Sequence, residues 1–320
     1  MVIPTRNRSR LLATTLHSVL WQRNVDLEVI VVDDASTDGT ADVVAGFADP
    51  RLVLMRQRSP CGPSAARNRG AGRAAGAWLA FVDDDDVWAP DKLTRQIAAA
   101  DGAGRGWSYA GAVNIGDDLQ IVSGSPPPSP EDVLAALPRY NPVPGGGSNV
   151  IIRWELWDDV AGFDERLPPC EDWDMWARLA RVGPPASVAA PLMGYRLHSG
   201  SVSLDIRRIL RSAELIEQLH ATPVDWGRMH RWLAESCLRM DRHVQALGQF
   251  AMAAIRGQAR GVASDVAAIA RRRVGRRTRK VETPADRDWI AQAAGWLQEL
   301  RSRVGTVPKG AATHVDRLGR

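Results

Sequence analysis

Four consecutive aspartates, Asp83 to Asp86, follow the apolar run "WLAFV". Adjacent like charges repel, so the row asks for a counter-charge or for full solvation. Carboxylate oxygens are hard ligands of the kind Mg²⁺ or Mn²⁺ prefers, and such ions keep waters while binding substrate phosphates. A solvated acidic turn is the other reading. Along extended backbone alternate side chains share a face. That pairs Asp83 with Asp85 on one face and Asp84 with Asp86 on the other. A second acidic pair, Asp33–Asp34, ends the run "VIVVDD". A third group, Glu171, Asp172 and Asp174, lies in "CEDWDMW". Acids at a helix start serve as caps and suit the helix dipole. One of them, turned into a crevice, is also a candidate general base. His198, in "YRLHSGSVS", reads as a metal ligand, a phosphate contact or a plain surface residue.

The elements that must carry these groups alternate. "MVIPT" reads as a strand, "SRLLATTLHSVLWQ" as a helix with Ser9 as cap, and "LEVIVV" as a second strand. The helix in "STDGTADVVAGFA" is expected to be capped by Ser36 or Thr37. A third strand, "RLVLMRQ", precedes a helix of small residues, and "AWLAFVD" is a fourth strand. Gly72 to Gly76, "GRAAG", are expected to allow close helix packing. "APDKLTRQIAAAD" begins a further helix, with Pro90 near its first turn. The strands are continuous apolar runs, the pattern of a mostly parallel sheet covered on both faces. Ligands of such sheets bind beyond the carboxyl ends of the strands, where both acidic groups of the first hundred residues sit.

Residues 101–205 are less regular, with strands at "WSYAGAVNI" and "LQIVSG" and the glycine-rich "NPVPGGGSN" from Asn141 to Asn149. That stretch reads as a mobile acceptor-side loop or a simple turn. After residue 206 the chain is largely helical. From there on it holds 22 Lys/Arg against 11 Asp/Glu, a formal +11, while the first 205 residues hold 19 against 26, a formal −7. The basic run Arg271 to Lys280 is a solvated helix end, or a contact for anionic lipid or an acidic partner. No nucleic-acid recognition module accompanies it, so nucleic acid is not expected.

Apolar content of 45% supplies a real core for 320 residues. Three cysteines without metal-type spacing suit a reducing compartment. No apolar run reaches the length of a membrane span, and no secretory leader is expected. The chain starts almost inside its first strand, so that strand is short or the natural start lies upstream. The dinucleotide glycine fingerprint and the phosphate-binding P-loop are both missing, which argues against hydride transfer and ATP hydrolysis.

Taken in order, "VIPTRNR", "VIVVDDASTDGT", "GPSAARNRG", "AFVDDDDVWAPDKL", "GFDE", "CEDWDMWARL" and "YRLHSGSVS" resemble the motifs of family 2 glycosyltransferases over about residues 2–204. The resemblance implies a GT-A type three-layer α/β/α fold with a mostly parallel mixed sheet, here with a helical C-terminal extension. It implies a nucleotide-sugar-binding half over 1–100, an acceptor-binding half with the catalytic base over 101–205, and a helical, basic region of unassigned role over 206–320. The implied activity is inverting transfer of a sugar from a nucleotide-diphosphate donor, UDP-linked, to an acceptor hydroxyl, in cell-surface polysaccharide or glycoconjugate synthesis. A saccharide or lipid-linked glycan is the implied acceptor. The implied location is cytoplasmic, with peripheral contact at the inner face of the membrane through the basic region.

By the same resemblance Pro4, Thr5 and Arg6 line the nucleotide pocket, with Arg6 where the family often has tyrosine. Asp34 meets the base, Asp33 lies near base and ribose, and Arg67 and Asn68 border the donor. Asp83 and Asp85 form the Asp-x-Asp pair that holds Mn²⁺ or Mg²⁺. Asp84 meets ribose, and Asp86 has the most structural place. His198 matches a region that contacts metal or diphosphate. Asp172 matches the catalytic base and Glu171 its neighbour, while Trp173 and Trp176 are candidates for an acceptor platform. An inactive nucleotide-sugar-binding scaffold is the first rival. A nucleotidyltransferase is the second, although "PTRNRSR" has no glycine for phosphate.

Overall fold

The computed structural model describes residues 1–167, 169–198, 205–239, 242–274 and 284–305. Its first sheet is parallel, with β1 (Val2–Thr5), β2 (Val29–Asp33) and β3 (Leu52–Arg56) in that order. Burial on both faces explains the continuous apolar runs. Val2, Ile30 and Val32 point into one core cluster, and Ile3, Val29 and Val31 into another. On the second side lie Leu12, Leu16 and Val19 of α1 (Ser9–Leu20) and Val44 of α2 (Thr40–Gly46). On the first side lie Ala66 and Ala71 of α3 (Pro63–Arg73).

Strands β4 (Trp78–Ala80), β5 (Val87–Trp88), β6 (Trp107–Ile115), β7 (Ile121–Ser125), β8 (Ile151–Arg153) and β9 (Ala186–Arg196) form a six-stranded mixed sheet. Its order is β4-β8-β6-β9-β5, with β7 beside β6. Only β6 and β9 pair in parallel there; the other pairs are antiparallel. The two sheets meet where Val2 bridges Phe81 and the Val82 amide donates to the Val2 carbonyl at 3.1 Å. The aspartate row therefore leaves the sheet beside the end of β1. The architecture is a mixed α/β core flanked by helices, with a helical C-terminal extension.

The other helices are α4 (Lys92–Gly102), α5 (Pro130–Ala136), α6 (Trp154–Asp159), α7 (Glu171–Val182), α8 (Ile206–His220), α9 (Trp226–Arg239), α10 (His243–Ala253), α11 (Ala259–Val274) and α12 (Pro284–Gly305). The extension shares the core of what precedes it. Ile209, Ala213 and Ile216 of α8 join the cluster that holds Phe81 and Trp107. His220 of α8 meets Asp174 of α7 at 2.8 Å. Trp289, Leu297 and Leu300 of α12 pack with Trp21 and Val113.

Several local expectations need correction. Ser9 is the first helical residue rather than the cap, and its amide donates to Asp38 at 3.1 Å. α2 begins at Thr40, later than a Ser36 or Thr37 cap requires, because Asp38 takes the Thr40 amide. Close packing of α3 rests on Gly70, not on Gly72 to Gly76: a Cβ on Gly70 would stand 2.3 Å from a Val2 methyl, whereas one on Gly72 would meet nothing within 4 Å. Gly70→Ala is therefore expected to lower the unfolding free energy by about 1–3 kcal/mol through overpacking. Gly72→Ala, on the exposed side, is expected to be neutral or stabilising by up to about 1 kcal/mol. Urea melts of the two variants check this, and equal effects would refute it. The basic run splits: Arg271–Val274 close α11, and residues 275–280 lie outside the described residues. Residues 199–203, the end of "YRLHSGSVS", lie outside them too.

Candidate active site

Three strand ends converge. Thr5 and Asp33 are register partners across β1 and β2, and the Asp34 amide donates to the Thr5 carbonyl at 2.8 Å. Thr5 Oγ1 donates to Asp84 Oδ2 at 2.7 Å, which ties the end of β1 to the aspartate row. Pro4 is buried in β1 and Arg6 is exposed just beyond it. Asp33 takes the Ser36 amide at 2.8 Å and Arg56 Nε at 3.0 Å. Asp34 takes the Cys61 and Gly62 amides at 2.8 and 2.9 Å, so it holds the turn before α3.

The pleat pairing of the row holds for Asp83 with Asp85 and fails for Asp84 with Asp86. The chain turns at Asp84–Asp85, and the Asp86 amide donates back to the Asp83 carbonyl at 3.2 Å. The turn carries Asp86 round to the side of Asp83 and Asp85, whose carboxylate oxygens lie with its own within 4.8 Å of one another. Asp84 points away, to Thr5 and Arg8. Asp86 is fully buried; its Oδ1 takes the Arg196 amide at 2.9 Å, and its Oδ2 meets no donor among the described residues. An all-oxygen donor set with one orphaned buried oxygen fits a hard divalent cation. Asp83, Asp85 and Asp86 would hold it.

The row is electrically uneven. Burial, reinforced by the Asp85 charge, pushes the Asp84 carboxyl up to about 7 against the pull of Arg8. Burial raises Asp86 well above the usual range, with Asp85 and Asp83 adding to it. Burial also opposes charge on Asp85, but His198 and Arg8 outweigh it and hold that carboxyl below the usual range. His198 Nε2 lies 2.8 Å from Asp85 Oδ2, and Arg8 Nη1 bonds both Asp85 Oδ2 and Asp84 Oδ1. Nothing in the sequence singled out Arg8. Its role depends on contacts 76 and 77 residues away along the chain.

Arg67 joins this row to the third acidic group. Its guanidinium donates to Asp83 Oδ1 and Glu171 Oε1, each at 2.6 Å, and lies 5.4 Å from the Phe163 ring centre. Burial works against its charge, but the two carboxylates raise its affinity for the proton. Asn68, on the next turn position of α3, is engaged elsewhere: its amide donates to the Phe163 carbonyl and accepts from the Phe163 amide, both at 2.9 Å. The "GFDE" stretch is thereby pinned to α3.

Asp172 opens α7 beside Glu171. Its Oδ2 accepts from Asn141 Nδ2 at 3.2 Å, and its Oδ1 from the Trp173 amide at 2.8 Å. Burial and the neighbouring Glu171 charge push its carboxyl up to about 7. A carboxyl tuned to that range exchanges protons near neutrality, as a general base must. The glycine-rich stretch backs this group. A Cβ on Gly146 would stand 3.1 Å from Asp172 Oδ2, and one on Gly147 3.6 Å from Arg67.

The end of that stretch is a buried turn rather than an exposed one. Gly146–Asn149 form a 3₁₀ turn with Ser148 and Asn149 fully buried. Ser148 Oγ accepts from the Asp83 amide at 2.9 Å, and the Ser148 carbonyl accepts from Trp88 Nε1 at 2.8 Å. Lys92 Nζ donates to the Asn149 carbonyl at 3.1 Å and lies 4.1 Å over the Trp88 ring. Burial pushes its ammonium well below the usual lysine range. The expected acceptor platform is corrected as well: Trp173 and Trp176 are both buried. Trp173 Nε1 donates to the Leu137 carbonyl at 2.7 Å, and Trp176 stacks on Trp107 with ring centres 6.4 Å apart. They face inward because α7 lays that side against the core.

The profile of the family described as "Glycosyl transferase family 2" matches residues 1–130. Those residues are a family 2 glycosyl transferase domain. Homology to nucleotide-sugar glycosyltransferases runs further along the chain. The succinoglycan biosynthesis protein ExoO of Rhizobium meliloti is 35% identical over 229 residues, 66% of this chain and 62% of that protein. The chain thus spans less than two thirds of that relative's length. The UDP-Glc:alpha-D-GlcNAc-diphosphoundecaprenol beta-1,3-glucosyltransferase WfaP of Escherichia coli is 26% identical over 223 residues, 68% of this chain and 85% of that enzyme.

Among solved structures, S. aureus TarS 1-349 in complex with UDP-GlcNAc superposes with a TM-score of 0.58 at 18% identity, covering 95% of this chain and 81% of that one. The mannosyltransferase PcManGT from Pyrobaculum calidifontis, in complex with GDP-Man and Mn2+, gives 0.51 at 18% identity, covering 95% and 86%. These likenesses establish the glycosyltransferase fold. The three acidic groups of this glycosyl transferase domain and its continuation lie where β1, β2 and the turn after β4 meet the start of α7. No described helix is long and apolar enough to cross a membrane.

Proposed function

We propose that this glycosyltransferase moves a sugar from a nucleotide-diphosphate donor, UDP-linked, to an acceptor hydroxyl with inversion, by a single displacement. The observation that carries the reading is Arg67, whose one guanidinium links Asp83 of the aspartate row to Glu171 beside Asp172. That link sets the donor-side acids and a base with a carboxyl tuned to about 7 within one side chain's reach. Residues 1–100 then bind the donor and 101–205 the acceptor, with Pro4, Thr5, Arg6, Asp33, Asp34 and Asp84 around the nucleotide.

Bound Mn²⁺ or Mg²⁺ would neutralise charge on the departing diphosphate. Asp83, Asp85 and Asp86 would hold that ion, and His198 would orient Asp85. Asp172 takes the proton of the incoming hydroxyl. One carboxylate suffices, since a diphosphate leaving group needs no general acid; the hydrolases use a second carboxylate to protonate the departing oxygen or to attack the sugar. Glu171, tied to Arg67, keeps the start of α7 in place. The names of ExoO and WfaP support a role in polysaccharide or glycoconjugate synthesis, with a lipid-linked glycan or saccharide as acceptor.

The test is release of nucleoside diphosphate from a panel of nucleotide sugars with purified protein and Mn²⁺. No donor turned over, together with no Mn²⁺-dependent nucleotide affinity by calorimetry, would end this reading. One observation favours an inactive nucleotide-sugar-binding scaffold: Arg8 already gives Asp84 and Asp85 a cationic partner. Donor affinity without turnover would select it. Asp85→Ala is expected to weaken Mn²⁺-dependent nucleotide binding by at least about tenfold. An unchanged metal titration would remove Asp85 from that role.

A further inference from the structure

Helix α10 lies far along the chain from the catalytic acids and is mostly apolar, with His243, Gln245 and Gln249 as its polar side chains. Its inner face buries Ala246, Phe250 and Ala253, packed with α9. Its outer face carries Val244, Leu247 and Ile255 at 85%, 68% and 77% exposure, the last just beyond the helix end. Several aliphatic side chains left open together on one helix mark a face that a core, a partner or a membrane covers. Here one side is open, and aliphatic side chains stand at the spacing of a single helical stripe.

The sequence that carries the stripe is strongly basic. From residue 242 to 274 the sequence has six arginines and a single acid, Asp265. Asp265 is paired with Arg231 of α9 at 2.6 and 2.8 Å. Arg242 and Arg256 flank the two ends of α10, and Arg260 follows in α11. At Gly257, with φ of +91°, the chain kinks between α10 and α11, so both helices are not one straight rod. Val266 of α11 is exposed as well.

We propose that the outer face of α10 is a docking surface for an anionic phospholipid bilayer. An aliphatic stripe bordered by arginine is the arrangement that lies in the headgroup boundary, with its apolar side chains inserted and its cations on lipid phosphate. Charge decides between a bilayer and a second copy of this chain. A two-fold contact would set the same arginines against each other, whereas an anionic bilayer complements them. The formal −7 of the first 205 residues would turn that part away from the same surface. The proposal is independent of the sugar-transfer reaction.

Co-sedimentation of the full chain with vesicles tests it. Binding is expected to vesicles of equimolar phosphatidylglycerol and phosphatidylcholine, and not to phosphatidylcholine alone. It should weaken as salt shortens the screening length from about 10 Å to about 3 Å. Leu247→Glu with Ile255→Glu is expected to cut partitioning by at least about tenfold, and Arg256→Gln with Arg260→Gln to cut it on anionic vesicles. Both pairs sit at exposed positions, and unchanged circular dichroism and nucleotide-sugar turnover would show that the fold is kept. No sedimentation of the parent chain with anionic vesicles would overturn the proposal. So would equal partitioning of the glutamate variant, or equal binding to neutral vesicles. A dimer in light scattering that Leu247→Glu disperses would assign the face to a second copy instead.

Discussion

Asp172→Asn is expected to lower kcat by about 10²–10⁴-fold while leaving affinity for the donor nucleotide in place. The substitution keeps the size of the side chain and an oxygen for the Trp173 amide, and it removes the ability to accept a proton. In the parent enzyme the rate should climb with pH and level off above about 7, because the carboxyl pushed up to that value must be ionised to act. In the variant that limb should vanish. Single-turnover rates across the pH range, with calorimetric titration of the nucleotide beside them, measure both. Equal loss of donor affinity, or a pH limb that survives, would remove Asp172 from the role of base.

Arg67→Met is expected to cost about 3–5 kcal/mol of folding stability, the range for removing one partner of a buried ion pair. Arg67 is 4% exposed and its two hydrogen bonds run to carboxylates of different elements, Asp83 and Glu171. Methionine fills much of the volume and leaves Glu171 facing Asp172 with no cation between α3 and α7. Arg67→Lys should fall between, since an ammonium cannot span both carboxylates as a planar fork does. Urea melts of the three proteins at neutral pH give the result. A change within about 0.5 kcal/mol, that of an ordinary surface substitution, would show that the guanidinium does not hold the two halves together.

The elements of the first hundred residues were readable because two-sided burial writes itself as apolar runs, as in Val29–Val32. The acids were readable because each follows such a run. The direction of Asp86 was not, because a turn at Asp84–Asp85 overrides strand alternation, and nothing in four identical letters marks where the turn falls. Arg8, Ser148, Lys92 and Asn149 escaped notice for a different reason. Each acts through partners far away in sequence: Ser148 meets Asp83 across 65 residues and Lys92 meets Asn149 across 57. The tryptophans of "CEDWDMW" misled because an aromatic next to an acid looks the same whether it faces substrate or core. α7 decides this by laying Trp173 and Trp176 against Leu137 and Trp107.

The seam between α12 and the rest bears on how the chain is born. Trp289 fills the space above Gly111 and Gly124, where a Cβ would stand 2.0 Å and 3.4 Å from its ring. Trp296 donates to the Pro191 carbonyl at 2.9 Å, and Arg303 lies 4.4 Å from the centre of the Trp21 ring. A chain emerging from the ribosome presents β6, β7 and α1 long before these partners exist. The first part of the protein therefore waits for its cover over Val113 and Ile115, and the fold closes only once α12 has been made. In such a molecule the late-made helix governs how long the nascent chain stays vulnerable to sticking to its neighbours.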